Sequence, residues 1–411
     1  MKVLLSAYAC EPHKGSEPGV GWNWAKQIAR FAEVWVITRA NNKEVIEEEL
    51  KKNPEPNMHF VYVDLPRWMR FWKKGQRRVH LYYYLWQIYA YFHARQLHSR
   101  VKFDVAHHIT FTVDWMPSFI SLLPVPFIWG PIGGSVRHLQ LNFWKEFTVR
   151  SKVYECIRYL YQFFGFYLDP FVQLTKERGK IIIVGTDRVK YDYPSKYYKK
   201  IQVMSSVGIS VCEIPNFEKP KREQVFTVFS SGRLVHWKGY DLALKAFGML
   251  VKNFPTAKFI IGGKGPEQKR FEKIASELKI LDNVIFAGYF SSRIEVFKQL
   301  SLSDVFIISS LRDGPLVSVL EAMIMGKPVV CLDAGGQSEL ITDDCGIKIR
   351  PIHPERTIND LANALLKLAN DPDLRKKIGE AGRKRVIEYY GWEKKGAFIK
   401  NIYEEVLNRK L

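Results

Sequence analysis

The chain has 411 residues, 47% hydrophobic and 25% charged, the make-up of a globular protein of two or three domains, which excludes extended disorder. Its five cysteines (Cys10, Cys156, Cys212, Cys331 and Cys345) are odd in number and form no C-x-x-C pair, so a reducing compartment is expected and a disulfide framework is not. No apolar run reaches the roughly 18 residues of a transmembrane helix, and the net charge of +20 favours nucleic acid, an anionic membrane or phosphorylated small molecules as partners.

The chain opens on a mostly apolar stretch from Val3 to Cys10 with almost no charge ahead of it. It reads as a buried first strand and not as a signal peptide, although Ala9-Cys10 hints at a lipoprotein cleavage site. The expected location is therefore the cytoplasm. Strands are expected at Val3–Ala7, Val34–Thr38, Phe60–Val63, Val105–Ile109, Phe127–Trp129 and Ile181–Val184, then at Val225–Ser230, Lys258–Ile261, Val284–Ala287, Val305–Ile308 and Pro328–Leu332. Continuous apolar runs separated by helical stretches predict two doubly wound parallel sheets in an α/β chain, with a cleft between them. A linker is expected at Ser210–Gln224, where Pro215, Asn216 and Pro220 interrupt the pattern. This divides the chain into an N-terminal Rossmann-like domain at 1–214, a second at 215–385 and a closing helical segment at 386–411, broken at Gly391 and expected to pack back on the first domain.

Within the first half, Gly15–Trp22 precedes a helix expected at Trp22–Arg30. Pro66–Lys102 holds nine Lys and Arg, no acidic residue and many aromatics, among them Trp68, Phe71, Tyr82, Tyr83 and Trp86. Two readings stay open there: a peripheral anchor on an anionic membrane at the inner face of the plasma membrane, or buried helices whose aromatics fill the core. Asp104–His108 places two histidines on one strand, so alternation turns only one of His107 and His108 toward a cleft. Arg137–Phe171 is again aromatic, and Trp129–Gly134 adds Gly133 and Gly134 as cleft candidates without an assigned role.

The second half carries the motifs. After the strand at Val225–Ser230 comes Gly232-Arg233-Leu234-Val235-His236-Trp237-Lys238-Gly239, two cations in a glycine-flanked loop, suited to a diphosphate. Gly263-Lys264-Gly265-Pro266 is a second glycine-rich strand exit. After Val305–Ile308, Asp313-Gly314-Pro315-Leu316-Val317 leads into a helix that Gly314 and Pro315 are expected to open and Gly326 to close. A helix start offers free N–H groups to a phosphate. Glu321 follows Asp313 by eight residues, an axial distance of about 11–12 Å if both follow the helical rise. That is the span from a hexose to a ribose across a diphosphate.

In this order, Gly232–Gly239, Gly263–Pro266, Glu321–Val330 (E-A-M-x-x-G-K-P-V-V) and Gly335–Glu339 resemble the retaining glycosyltransferases of GT-B fold, family 4. The resemblance covers residues 225–345. It implies two Rossmann-like domains facing a central cleft, a nucleotide-sugar donor and no metal or other cofactor. It implies that Arg233 and Lys238 hold the donor diphosphate, Asp313 the sugar and Glu321 the ribose, with Gly232, Gly263, Gly265, Gly314, Pro315, Leu316 and Val317 lining the donor. The family's first acid is usually glutamate, so Asp313 is a departure. By the same resemblance Gly19 and Gly21 bring backbone beside the donor phosphates, and His108, slightly favoured over His107, is the active-site histidine. The acceptor implied is a saccharide or lipid-linked molecule in envelope polysaccharide or glycolipid synthesis.

Other signals carry less. Asp371-Pro372-Asp373 reads as a helix start and not as a metal-binding D-x-D triplet. The ten histidines show no zinc spacing, and no Walker or G-x-S-x-G motif occurs. A GT-B epimerase or hydrolase is the alternative enzyme. A non-enzymatic binder of membrane or nucleic acid is the alternative class, and it leaves the phosphate-site motifs in the less basic half: residues 216–411 carry +8 and residues 1–215 carry +12. Nucleic acid is not an expected partner.

Overall fold

The structure, a computed structural model, describes residues 1–73, 75, 78–133, 141–210, 214–215 and 225–408. Gly134, Cys212 and most of the expected linker at Ser210–Gln224 lie outside them. The chain divides into two compact units: unit 1 is Met1–Arg137, Arg158–Gly208 and Trp392–Leu411, and unit 2 is His138–Ile157 and Ile209–Gly391.

Unit 1 holds β1 (Lys2–Ala7), β2 (Glu33–Arg39), β3 (Met58–Val63), β4 (Val105–Thr110), β5 (Phe127–Ile132), β6 (Gly179–Val184) and β7 (Ile201–Val203). They form one parallel sheet in the order β3-β2-β1-β4-β5-β6-β7. Its helices are α1 (Ser16–Ala29), α2 (Lys43–Lys52), α3 (Arg67–Arg70), α4 (Val79–Val101), the second half of α5 (Val149–Leu168), α6 (Pro170–Arg178) and α7 (Asp187–Tyr191). Unit 2 holds β8 (Thr227–Ser231), β9 (Lys258–Gly262), β10 (Val284–Gly288), β11 (Val305–Ile308), β12 (Val329–Leu332) and β13 (Gly346–Ile349). These are parallel in the order β10-β9-β8-β11-β12-β13. Around them lie α8 (Tyr240–Val251), α9 (Gln268–Glu277), α10 (Arg293–Leu302), α11 (Val317–Ile324), α12 (Pro354–Asn370) and α13 (Pro372–Tyr389). The last helix, α14 (Trp392–Asn408), groups with unit 1, where Trp392 meets Trp24 edge-on at 6.2 Å.

Central strands such as β4, VAHHIT, are buried along their whole length, because helices cover both faces of a parallel sheet. The aromatics of Pro66–Lys102 differ in burial along its length. Tyr82, Tyr83 and Trp86 of α4 are buried and form the aromatic centre of the unit 1 core around Tyr8, with Trp86 Nε1–H donating to Val63 O at 2.9 Å. Trp68 and Phe71, at and just after α3, are 74% and 79% exposed. Asp371 caps α13 by accepting the Leu374 N–H at 2.8 Å, with Pro372 in the first turn, so that triplet is a helix start. Among the described residues no helix is long and apolar enough to cross a membrane.

Candidate functional site

The second sheet reverses its strand order at β8, which β9 and β11 flank on opposite sides. In an open parallel sheet such a reversal makes a crevice beyond the carboxyl ends of the strands, where ligands bind. Two loops leave from that point: residues 232–239 after β8 and residues 309–316 after β11. They are bonded to each other. Leu311 N–H donates to Trp237 O at 2.9 Å, and the Ser309 hydroxyl donates to Lys238 O at 3.0 Å. Gly239 has φ 63°, and a Cβ there would stand 2.1 Å from Ser309 O, so only glycine lets the loops approach this closely.

This packing sets Lys238 against Asp313. Lys238 Nζ lies 2.8 Å from Asp313 Oδ2, with the side chains 11% and 17% exposed. The Ser310 hydroxyl donates to the same carboxylate oxygen. Gly336 N–H donates to Asp313 O at 2.7 Å and Gln337 Nε2 to Ser310 O at 2.8 Å, so residues 335–337 brace the loop. The loop after β9 lies alongside: Gly232 N–H donates to Gly262 O at 3.0 Å and Leu234 N–H to Lys264 O at 3.2 Å. A Cβ on Gly263 or Gly265 would stand 2.0 or 2.1 Å from the carbonyl oxygen of Gly232 or Leu234. Buried Tyr240 donates its hydroxyl to Gly232 O at 3.4 Å, and desolvation raises its pKa, keeping the phenol protonated. Arg233 is exposed; its carbonyl accepts the Val235 N–H at 3.0 Å, and its side chain makes no hydrogen bond or ion pair among the described residues.

The helix behind Asp313 differs from its expected form. α11 begins at Val317, with Leu316 as its N-cap, so Gly314 and Pro315 precede the helix and do not open it. Pro315 is held by residue 336, where a Cβ would stand 2.3 Å from Pro315 N. Asp313 therefore lies in the loop, and a separation from Glu321 reckoned by helical rise does not apply. Leu316 supplies no side-chain cap, and Val319 N–H donates to Leu316 O at 3.2 Å, so Val317 and Ser318 carry the first-turn N–H groups that an anion could meet. At the other end the helix closes as expected at Gly326, with φ 67°. Its N–H donates to Met323 O at 2.9 Å, and Lys327 N–H donates to Ala322 O at 3.0 Å. Glu321, buried on α11, is held by Arg293 of α10, whose Nε lies 2.6 Å from Oε1.

Sequence reasoning missed Arg293, which stands 28 positions from its partner with no spacing to betray it. It also missed Glu155. This residue of α5 is buried in unit 2, with Oε1 at 2.8 Å from His236 Nε2 and 2.7 Å from Arg312 Nη2. His236 lies on the Lys238 loop and Arg312 beside Asp313, and Arg312 stacks on Trp237 at 4.4 Å. One carboxylate thus ties together the two loops that carry the Lys238–Asp313 pair. Removing one member of a buried ion pair costs roughly 3–5 kcal/mol. Glu155→Ala should lose about that much stability in urea unfolding, and Glu155→Gln, which keeps hydrogen-bonding capacity, less. Unchanged stability in both variants would refute the clamp.

The unit 1 candidates are placed as follows. α1 begins at Ser16, well before Trp22, because a proline is tolerated in a first turn. Gly19 and Gly21 are therefore helical and buried. A Cβ on them would stand 1.9 Å from Lys14 O and 2.1 Å from Ala9 O, so they let the preceding loop fold onto the helix. Glu17 of the same turn accepts the Phe111 N–H, and burial raises its carboxyl pKa. His107 and His108 point to opposite faces of β4, and both are buried. His107 meets Tyr403 Oη at 2.8 Å and Gly130 O at 2.7 Å; His108 Nε2 meets Tyr83 Oη at 2.8 Å and Thr110 O at 3.0 Å. Desolvation lowers their pKa values to about 3 and about 4, so both stay neutral. Gly133 N–H donates to Thr112 O at 3.2 Å, with open space where a Cβ would lie. Among the described residues no group of three or more His, Cys, Asp or Glu is arranged to hold a metal ion.

Residues 213–385 match the family model of the glycosyl transferases group 1. The matched stretch contains both loops, Lys238, Asp313 and Glu321. An uncharacterized glycosyltransferase of Methanocaldococcus jannaschii is 31% identical over 183 residues, 43% of this chain and 44% of that protein. The poly(ribitol-phosphate) alpha-N-acetylglucosaminyltransferase of Staphylococcus aureus is 26% identical over 225 residues, 53% of this chain and 44% of that protein. The chain thus spans less than half the length of these relatives. Among solved structures, Anabaena HepE in complex with UDP and glucose superposes with a TM-score of 0.65 at 15% identity, over 98% of this chain and all of that one. The two Rossmann-like units have the GT-B architecture.

Proposed function

We infer that this protein is a retaining, metal-independent glycosyltransferase. It moves a hexose from a nucleotide-sugar donor onto a saccharide or lipid-linked acceptor in envelope polysaccharide or glycolipid synthesis. The observation that carries this reading is the Lys238–Asp313 pair at the reversal point of the second sheet, inside the stretch that matches group 1 glycosyl transferases. A diphosphate there draws Lys238 away from Asp313 and meets Arg233, which has no competing partner among the described residues. Asp313 is then free for sugar hydroxyls. Glu321, oriented by Arg293, faces the ribose with its second oxygen. Unit 2 takes the donor and unit 1 the acceptor. The relatives support a sugar-transfer chemistry, and the Staphylococcus relative is named for an α-linked product.

In the transfer, the acceptor hydroxyl oxygen bonds to the anomeric carbon as the bond from that carbon to the phosphate oxygen breaks. The acceptor proton passes to the departing phosphate. Arg233, Lys238 and the first-turn N–H groups of α11 stabilise the charge that grows there. Retention is what the resemblance to family 4 implies, and with no side chain assigned as a nucleophile it requires that attack and departure share one face of the sugar. The four described cysteines are free thiols, which suits work in the cytoplasm. Following the anomeric proton by NMR during turnover tests both donor use and retention; inversion would overturn the retaining mechanism.

A further inference from the structure

We propose that the second half of α5, with α6, is a docking surface for an anionic lipid bilayer. The helix is built inside out. In residues 158–168 the inward positions hold Arg158 and Gln162, both buried and bonded to each other at 2.6 Å, with Phe166 the one buried aromatic. The outward positions hold Tyr159, Leu160, Phe163, Phe164, Tyr167 and Leu168, all exposed, Leu168 to 62%. No charged residue interrupts that face, which spans about 15 Å at helical rise, and Phe171 and Leu174 of α6 continue it. The reversal holds in the first half too, where Val153 and Ile157 are exposed and Ser151 and Glu155 buried. A water-facing helix normally shows the opposite arrangement, and a contiguous apolar patch of this kind marks an interaction site.

The occupant follows from charge and chemistry. His80, at the start of α4, lies 6.0 Å from Tyr161, so the N-terminal end of α4, with exposed Arg78 just before it, borders the patch. Exposed Arg178 and Lys180 follow at the end of α6. Aromatic rings beside an apolar face rimmed by Arg and Lys suit the headgroup level of an anionic bilayer. A second copy of this chain also offers apolar surface, but each copy carries +20, which opposes self-association and favours an anionic surface. The membrane-facing element is thus α5 with α6, and not α4, whose Tyr82, Tyr83 and Trp86 lie in the core.

Sedimentation with vesicles tests this. The protein should pellet with phosphatidylglycerol vesicles at low salt and remain in solution with pure phosphatidylcholine. Leu160→Asp, Phe164→Asp and Leu168→Asp together should lower the bound-to-free ratio by roughly 1,000-fold, since each apolar side chain withdrawn from water is worth on the order of tenfold. Leu281→Asp, at an exposed apolar position of unit 2, should bind like the wild type. If the triple variant loses its thermal transition, Phe163→Ser with Phe164→Ser should show the same direction at an unchanged midpoint. No pelleting, equal pelleting with neutral vesicles, or wild-type binding by the folded variants would overturn the proposal. So would a concentration-dependent dimer that the same variants dissolve without any vesicle binding.

Discussion

Asp313→Asn and Glu321→Ala should each lower the rate of sugar transfer by about 10- to 150-fold, the worth of one charge-assisted hydrogen bond of roughly 1.5–3 kcal/mol. The two losses should fall on different constants. In the proposed donor pose Asp313 would address the reacting sugar, so its replacement should lower kcat. Glu321 would address the ribose, a group held alike in ground and transition state, so its loss should raise KM. Asp313→Asn also releases Lys238 from its 2.8 Å partner, yet keeps a side chain that can accept from Ser310. Glu321→Ala leaves Arg293 without the carboxylate it holds at 2.6 Å. Steady-state kinetics with circular dichroism as a fold control checks this. Wild-type rates in both folded variants would refute the assignment.

Arg233→Ala and Lys238→Ala should each weaken binding of a nucleoside diphosphate by roughly 10- to 150-fold, read by calorimetry with UDP. Exposed Arg233 leaves no buried partner behind, so its removal should spare stability. Lys238 does leave one, because Asp313 is only 17% exposed, and Lys238→Ala should destabilise unit 2 as well. Combined with Asp313→Asn, the stability losses should fall short of their sum, because both break the same ion pair. Activity should withstand EDTA. Full sensitivity to the chelator, restored by magnesium, would mean that a metal neutralises the diphosphate in place of these two side chains.

Much of this arrangement is legible in the sequence. Each of the eleven expected strands is present, because continuous apolar runs such as Val305–Ile308 have no other good home in a chain of this composition. The two strands that went unseen are both at a sheet edge: β7 is only Ile201–Val203, and β13 alternates Gly346-Ile347-Lys348-Ile349. An edge strand needs no continuous apolar run. Helix starts were harder, since Gly19 and Gly21 look like loop residues until their contact with Lys14 O and Ala9 O explains them. Around the site, Lys238 and Asp313 were legible as loop residues at strand exits, but not as a pair, because only packing brings the two loops together. Glu155 and Arg293 left no trace at all, as each acts on partners that are distant in the chain. The buried polar face of α5 was hidden too, because its composition reads as an ordinary aromatic helix until exposure shows which side faces water.

The crevice of the second sheet should bind a nucleotide sugar and transfer its sugar with retention. The most direct test is NMR of the anomeric proton during incubation with UDP-glucose, UDP-N-acetylglucosamine and GDP-mannose in turn, with EDTA present. With donor alone, at least one should be consumed slowly, water serving as acceptor, and the first sugar released should have the donor's own anomeric configuration. Added saccharide acceptor should speed consumption and yield a glycoside of that configuration. Rapid turnover without acceptor would point to a hydrolase or epimerase, release of the opposite anomer would contradict retention, and consumption of none, with no spectral sign of binding, would contradict the donor site itself.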